Sequence, residues 1–240
     1  MFFQPDKIHR IMLKISGEIL AGPQGYGFDD GIIDQLTDEI IQVHQKGYKI
    51  ALVLGGGNIF RGATWKNQSL NRVLLDHIGM LATIQNSLYL AEILNQKKCP
   101  ARAFSCLAMD NITELYTPHK ASEALERGEI CFISGGTGNP FFTTDTAAIL
   151  RAAELGLDLV LKGTKVDGLY TADPQVDPNA QFISSASYDQ CLEQKLRVMD
   201  MTAFSLAQEN RIPLKIFNLT KTGGIEMALS NPDYGTYIYA

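Results

Sequence analysis

Five apolar runs, "HRIMLKISG", "YKIALVLGGG", "EICFISGGTGN", "LDLVLKGTK" and "IPLKIFN", each end in small or glycine-rich residues, and most are separated by enough chain for a helix. Continuous apolar runs, without polar alternation, suit strands covered on both faces, and helix-length spacers between them are the pattern of βαβ crossovers. An α/β sheet built from βαβ units is therefore expected. Between the first two runs, Ile32, Ile33, Leu36, Ile40 and Val43 recur at helical spacing, with Asp29 or Asp30 available as N-cap and Gly47 after the end. "DHIGMLATIQNSLYLAEILNQ" is apolar on most faces, so it packs against the sheet or against another subunit. "TTDTAAILRAAELG" and "MDMTAFSLAQEN" read as two more helices, and the closing "YGTYIYA" as a late edge strand.

In such sheets ligands bind outside the carboxyl ends of the strands, so the chemistry belongs in the loops after each run. Gly55, Gly56 and Gly57 end the second run, and glycines there let backbone N–H groups face an anion without a Cβ in the way. Arg61 follows with a fork suited to phosphate oxygens. Two familiar phosphate motifs fail: G-x-x-x-x-G-K-[ST] is absent, and Phe60 stands where G-x-G-x-x-G needs its third glycine. Asp76 lies at the distance of a ribose-binding acid but sits at a helix start, which leaves dinucleotide binding a weak alternative.

The third run leads into "SGGTGNPFFTTD". There Gly135, Gly136 and Gly138 open the backbone, Thr137 and Asn139 offer hydrogen bonds, Phe141 and Phe142 offer flat apolar walls, and Thr144 or Asp145 caps the following helix. Lys14 interrupts an apolar strand just before a glycine turn, and Lys162 and Lys165 repeat the device. Burying a lysine is costly unless something anionic meets it, so the repetition favours a shared anion. Asp167, Asp173 and Asp200 read as turn residues.

Composition excludes several classes. With 45% apolar and 20% charged residues and a net charge of −5, the 240-residue chain is not built to coat nucleic acid. Cys99, Cys106, Cys131 and Cys191 form no C-x-x-C pair, and the four histidines add no zinc spacing, which points to reduced thiols in a cytoplasmic protein. The N-terminus has no export signal, and no run of ~18 apolar residues would span a membrane.

The ordered set "LKISGE", "GGGNIFRG", "DHIGMLAT", "GGTGNPFFTTDTAA", "LKGTKVDGLYTADP" and "VMDMTAFSLA" resembles the bacterial uridylate kinases of the amino acid kinase family, from about Ile8 to the C-terminus. The resemblance implies a three-layer α/β/α sandwich in a single domain over 1–240. Its N-terminal part (about 1–135) would serve mainly the phosphate acceptor and its C-terminal part (about 136–240) mainly ATP. It implies transfer of the ATP γ-phosphoryl group to UMP with Mg²⁺. By the same resemblance Lys14, Ile15, Ser16, Gly17, Gly57, Arg61, Thr164, Tyr170 and Asp173 belong to the ATP site. Gly56, Asp76, Thr137, Gly138, Asn139, Pro140, Phe141, Phe142, Thr143 and Thr144 belong to the UMP site. Lys14 and Lys162 would stabilise charge, with Asp145 fixing their positions. A homohexamer, activation by GTP and inhibition by UTP are implied too, with Gly22, Pro23, Gln24, Gly25, Tyr26, Gly27 and Arg102 as effector-linked residues; Ala91 and Asn95 depart from some activated relatives, which carry Arg and His there. A kinase for a carboxylate or carbamate acceptor and a non-catalytic nucleotide-binding protein are the competing readings; "TGNPFF" suits a base better than an amino acid.

Overall fold

The structure is a computed structural model that describes residues 3–61, 70–172, 176–177, 179–194, 196 and 199–240. In chain order the strands are β1 (Arg10–Ile15), β2 (Lys49–Leu54), β3 (Ala101–Ser105), β4 (Glu114–Leu115), β5 (Ile130–Ser134), β6 (Leu159–Thr164), β7 (Leu169–Tyr170), β8 (Phe182–Ile183), β9 (Ser185–Ser187), β10 (Leu214–Asn218) and β11 (Thr236–Tyr239). The helices are α1 (Gly17–Leu20), α2 (Asp30–Gln45), α3 (Arg72–Gln96), α4 (Pro118–Glu126), α5 (Thr144–Leu155), α6 (Tyr188–Glu193), α7 (Met201–Glu209) and α8 (Gly224–Ser230).

Among the described residues nine strands form one sheet in the order β4-β3-β5-β2-β1-β6-β10-β11-β9, in which only the β10–β11 pairing is antiparallel. Residue parity along each strand sends side chains into two separate cores. Met12, Ala51, Val53, Cys131, Ile133 and Val160 face α4, α5, α6 and α7. Ile11, Leu13, Ile50, Leu52, Phe132 and Leu161 face α1, α2, α3 and α8. Both faces of the central strands are thus covered, which is why the sequence shows continuous apolar runs there.

Local signals behave as their chemistry requires, with two corrections, at the α5 cap and at the last strand. Asp29, not Asp30, caps α2 by accepting from Ile32 N, and Gly47 follows its end at φ +93°. Neither Thr144 nor Asp145 caps α5; Thr143 does, its Oγ1 accepting from the backbone N–H groups of Asp145 and Thr146. The closing strand β11 is not an edge, because the short β9 pairs outside it. The four cysteines are free, and among the described residues no helix is long and apolar enough to cross a membrane.

Candidate active site

The chain leaves β1 toward β2 on one side and leaves β6 toward β10 on the other, so a crevice opens between the carboxyl ends of β1 and β6. Lys14 and Lys162 stand at that point. They are register partners on adjacent parallel strands, and with the parity of Met12 and Val160 both project toward α5. Asp145, in the first turn of α5, meets them: Lys14 Nζ lies 2.8 Å from Oδ1 and Lys162 Nζ 2.6 Å from Oδ2. The three side chains are only 11–15% exposed. Burial alone would push the Asp145 carboxyl up, but the two ammonium groups outweigh it and hold it below the ordinary value of 3.8. For Lys162, burial lowers the pKa below 10.5; the Asp145 charge opposes that shift and the Lys14 charge adds to it. Lys165, read from sequence as part of the same device, is exposed at the strand end and outside this cluster.

Two glycine loops flank the triad. Gly55–Gly57 carries no positive φ among the described backbone, so its glycines answer to space and not to turn geometry. A Cβ on Gly56 would fall 2.8 Å from Ala82 Cβ and 2.9 Å from the Gly79 carbonyl, both on α3. A Cβ on Gly17 would fall 2.5 Å from the Gly55 carbonyl and 2.7 Å from Gly57 N. The bare backbone is therefore required first by protein packing: three elements converge here with no room for a side chain. In the second loop Gly135, Gly136 and Gly138 do have φ between +61° and +83°, as a tight turn demands.

A cavity of about 580 Å³ lies between the loops, lined among others by Glu18, Gly56, Gly57, Arg72, Asp76 and Thr83. Gly136, Phe142, Thr143 and Thr144 complete its wall from the second loop. Of the residues assigned to UMP, Gly56, Asp76, Phe142, Thr143 and Thr144 line this space; Thr137, Gly138, Asn139, Pro140 and Phe141 belong to the same loop without lining it. Asp76 accepts from Phe141 N at 2.7 Å and pairs with Arg72 at 2.7 Å. On the other side, Arg61 pairs with Glu18 at 2.6 Å beside Gly57. Thr164 Oγ1 donates to the Val166 carbonyl, and Tyr170 packs edge-on against Phe182, away from the triad. Asp173 lies outside the described residues.

Several residues the sequence did not single out hold the loops in place. Asn58 and Asn86 exchange side-chain amide hydrogen bonds, Asn86 Nδ2 also donating to the Gly55 carbonyl at 2.7 Å and Asn58 Nδ2 to that of Gly27 at 2.9 Å. Thr83 Oγ1 accepts from Gly135 N. The available signal was three polar residues, Thr83, Asn86 and Ser87, on the buried face of an otherwise apolar helix. Asp200, read as a turn residue, caps α7 and accepts from the hydroxyls of Thr143 and Thr146, joining the N-termini of α7 and α5.

The amino acid kinase family model matches residues 9–218. The chain belongs to the amino acid kinase family. The chain is 44% identical over 233 residues to a uridylate kinase of Bacteroides thetaiotaomicron, covering 97% of this chain and 99% of that one. Its structure is similar to the UMP kinase of Bacillus anthracis with a TM-score of 0.93 and 33% identity, over 96% of this chain and 95% of the other. It is also similar to the UMP kinase of Ureaplasma parvum, with a TM-score of 0.92 and 37% identity, over 98% and 100% of the two chains. The α/β/α sandwich expected from the sequence is the fold found.

Proposed function

We infer that the protein transfers the γ-phosphoryl group of ATP to UMP, giving UDP and ADP. The observation that carries this reading is the convergence of Lys14 and Lys162, in register on neighbouring strands, on the single carboxylate of Asp145 beside a glycine-walled cavity. Phosphoryl transfer asks little covalent chemistry of a protein. It asks for in-line positioning of two phosphates and neutralisation of the charge on the transferring group. Two ammonium groups preset by one carboxylate supply that neutralisation without reorganising during the reaction. While protonated, neither lysine serves as a base; both stabilise charge.

In this reading UMP occupies the cavity, with Asp76 at its sugar and Phe142, Thr143 and Thr144 along its wall. Gly56 faces the UMP phosphate, Gly57 and Arg61 face ATP, and Thr164, Tyr170 and Asp173 hold the ATP nucleoside. On these assignments residues from both sides of position 135 meet each nucleotide. Both Asp145 oxygens are committed to lysines, and no group of three or more metal-ligating side chains occurs among the described residues. Mg²⁺ would come with ATP and would offset phosphate charge.

A homohexamer is proposed, with α3 as one contact. GTP activation has mixed support. The Gly22–Gly27 segment is tied to the phosphate loop through Gly27 and Asn58, but the Arg102 guanidinium is already engaged by Glu129 and Glu114. UTP inhibition follows from competition at the UMP cavity. A coupled ADP-release assay over UMP, CMP, AMP, N-acetylglutamate and carbamate, repeated with GTP and UTP, tests all of this. Preference for a carboxylate or carbamate acceptor, or ATP binding without acceptor-dependent turnover, would overturn it.

A further inference from the structure

Arg151 lies on α5, six residues beyond Asp145, and is 6% exposed. A guanidinium so deep in a domain is costly unless its donors are met and its charge is paired. Glu154 pairs it through both carboxylate oxygens, at 2.8 and 2.7 Å from Nη1. The Tyr116 ring lies under the guanidinium at 4.6 Å, and the Tyr116 hydroxyl donates to Glu154. Nη2 reaches out of this nest to the Thr137 carbonyl at 3.2 Å and to Cys106 Sγ at 3.3 Å, while Nε is buried without a hydrogen-bond partner among the described residues. Burial opposes its charge, yet Cys106, Glu154 and Tyr116 together keep its pKa raised, so it stays a cation.

The loop from Gly135 to Thr143 is held at intervals: Gly135 by Thr83, Phe141 by Asp76 and Thr143 by Asp200. Between the first two holds, among the described residues, the hydrogen bond that reaches the loop's tip from outside is the one from Arg151 to Thr137. Thr137 then passes the constraint on, its Oγ1 bonding to both backbone groups of Asn139. Arg151 and Asp145 share one helix, so the group that presets the lysines and the group that presets the loop move as one body.

We propose that Arg151 is a positioning residue for the acceptor: by holding the Thr137 carbonyl it sets the Gly136–Phe142 loop against the cavity and thereby sets acceptor affinity and choice. This rests on the UMP-kinase reading above, in which that loop meets the acceptor. Lysine in its place keeps the charge opposite Glu154 but lacks the fork that serves Glu154 and Thr137 together.

The test is steady-state kinetics with UMP and CMP on the full chain, wild type against Arg151→Lys and against the double variant Arg151→Met with Glu154→Leu, which leaves no orphaned carboxylate. Expected are a KM for UMP raised about tenfold, the size of one lost charge-assisted hydrogen bond, a KM for ATP within twofold, and a smaller UMP-to-CMP ratio of kcat/KM. Hydrogen exchange at the Gly136–Phe142 amides should quicken while the α5 amides stay protected. Unchanged UMP KM, equal rises in both KM values, or unaltered loop exchange in a folded Arg151→Lys protein would overturn the proposal. Should either variant fail to fold, Arg151 is a structural residue and the proposal falls. Wild type without UMP-dependent turnover would instead overturn the UMP-kinase reading, and the exchange arm would still report on the loop.

Discussion

Asp145 carries one negative charge and faces two ammonium groups, so its replacement leaves Lys14 and Lys162 repelling each other in a site already short of water. Asp145→Asn should therefore lower kcat by about two orders of magnitude or more, the range seen when a preset electrostatic partner is lost. Its fold should remain intact by circular dichroism, and near wild-type turnover would refute the assigned role. The pH dependence follows in sign. Lys162 must be protonated to act and its pKa lies below 10.5, so kcat should fall on the alkaline side below that value. Between the folded pKa and 10.5 the unfolded chain holds the extra proton, so stability on account of Lys162 rises with pH there and activity is lost while the fold persists. With Asp145 neutral, the residual activity should fade at lower pH still. Gly56 offers a separate test. Its missing Cβ has no room beside Ala82 and Gly79, so Gly56→Ala should cost about 1–3 kcal/mol in denaturant unfolding and reduce turnover with it.

The long elements were legible and the short ones were not. β1, β2, β5, β6, β10 and β11 each present an apolar run, and α2, α3, α5 and α7 each present periodicity or length. β3 escaped because Arg102 interrupts it and its first three residues are only half-buried; β4, β7, β8 and β9 are two or three residues long, too short to show any period. The lysines were visible because a charge inside an apolar run is anomalous. Asp200 was not, because its role exists only once α7 is laid beside α5, a contact no local pattern encodes. α8 shows a similar long-range dependence. Its N-cap, Gly223, has no side chain to offer, and Glu39 from α2, 6% exposed, supplies the carboxylate that Gly223 N donates to at 2.8 Å. An acid at a helix N-terminus satisfies orphan donors and opposes the helix dipole. Glu39→Ala should thus lower stability by about 1–2 kcal/mol, measured by urea unfolding, with KM for both substrates unchanged; altered KM values would place Glu39 in the site.

At the scale of the molecule, α3 has two working faces. Inward, Thr83 and Asn86 reach the two glycine loops. Outward, Leu74, Ile78, Leu81, Gln85 and Leu88 recur at alternating spacings of four and three, the seam of a helix that packs along another helix. Leu74 is 53% and Leu81 42% exposed, and Tyr89 beside the seam is 37% exposed. The proposed assembly would use this outward side, where a second copy presenting the same stripe would be self-complementary about a two-fold axis. Each leucine so covered contributes about 2 kcal/mol per copy. Replacing both, Leu74→Glu with Leu81→Glu, puts like charges in the seam of each copy and should reduce the mass found by light scattering at micromolar protein, with Tm lowered because the subunits no longer support one another. A variant that keeps the wild-type mass would refute the proposed α3 contact, and the outward stripe of α3 would then be a solvent face.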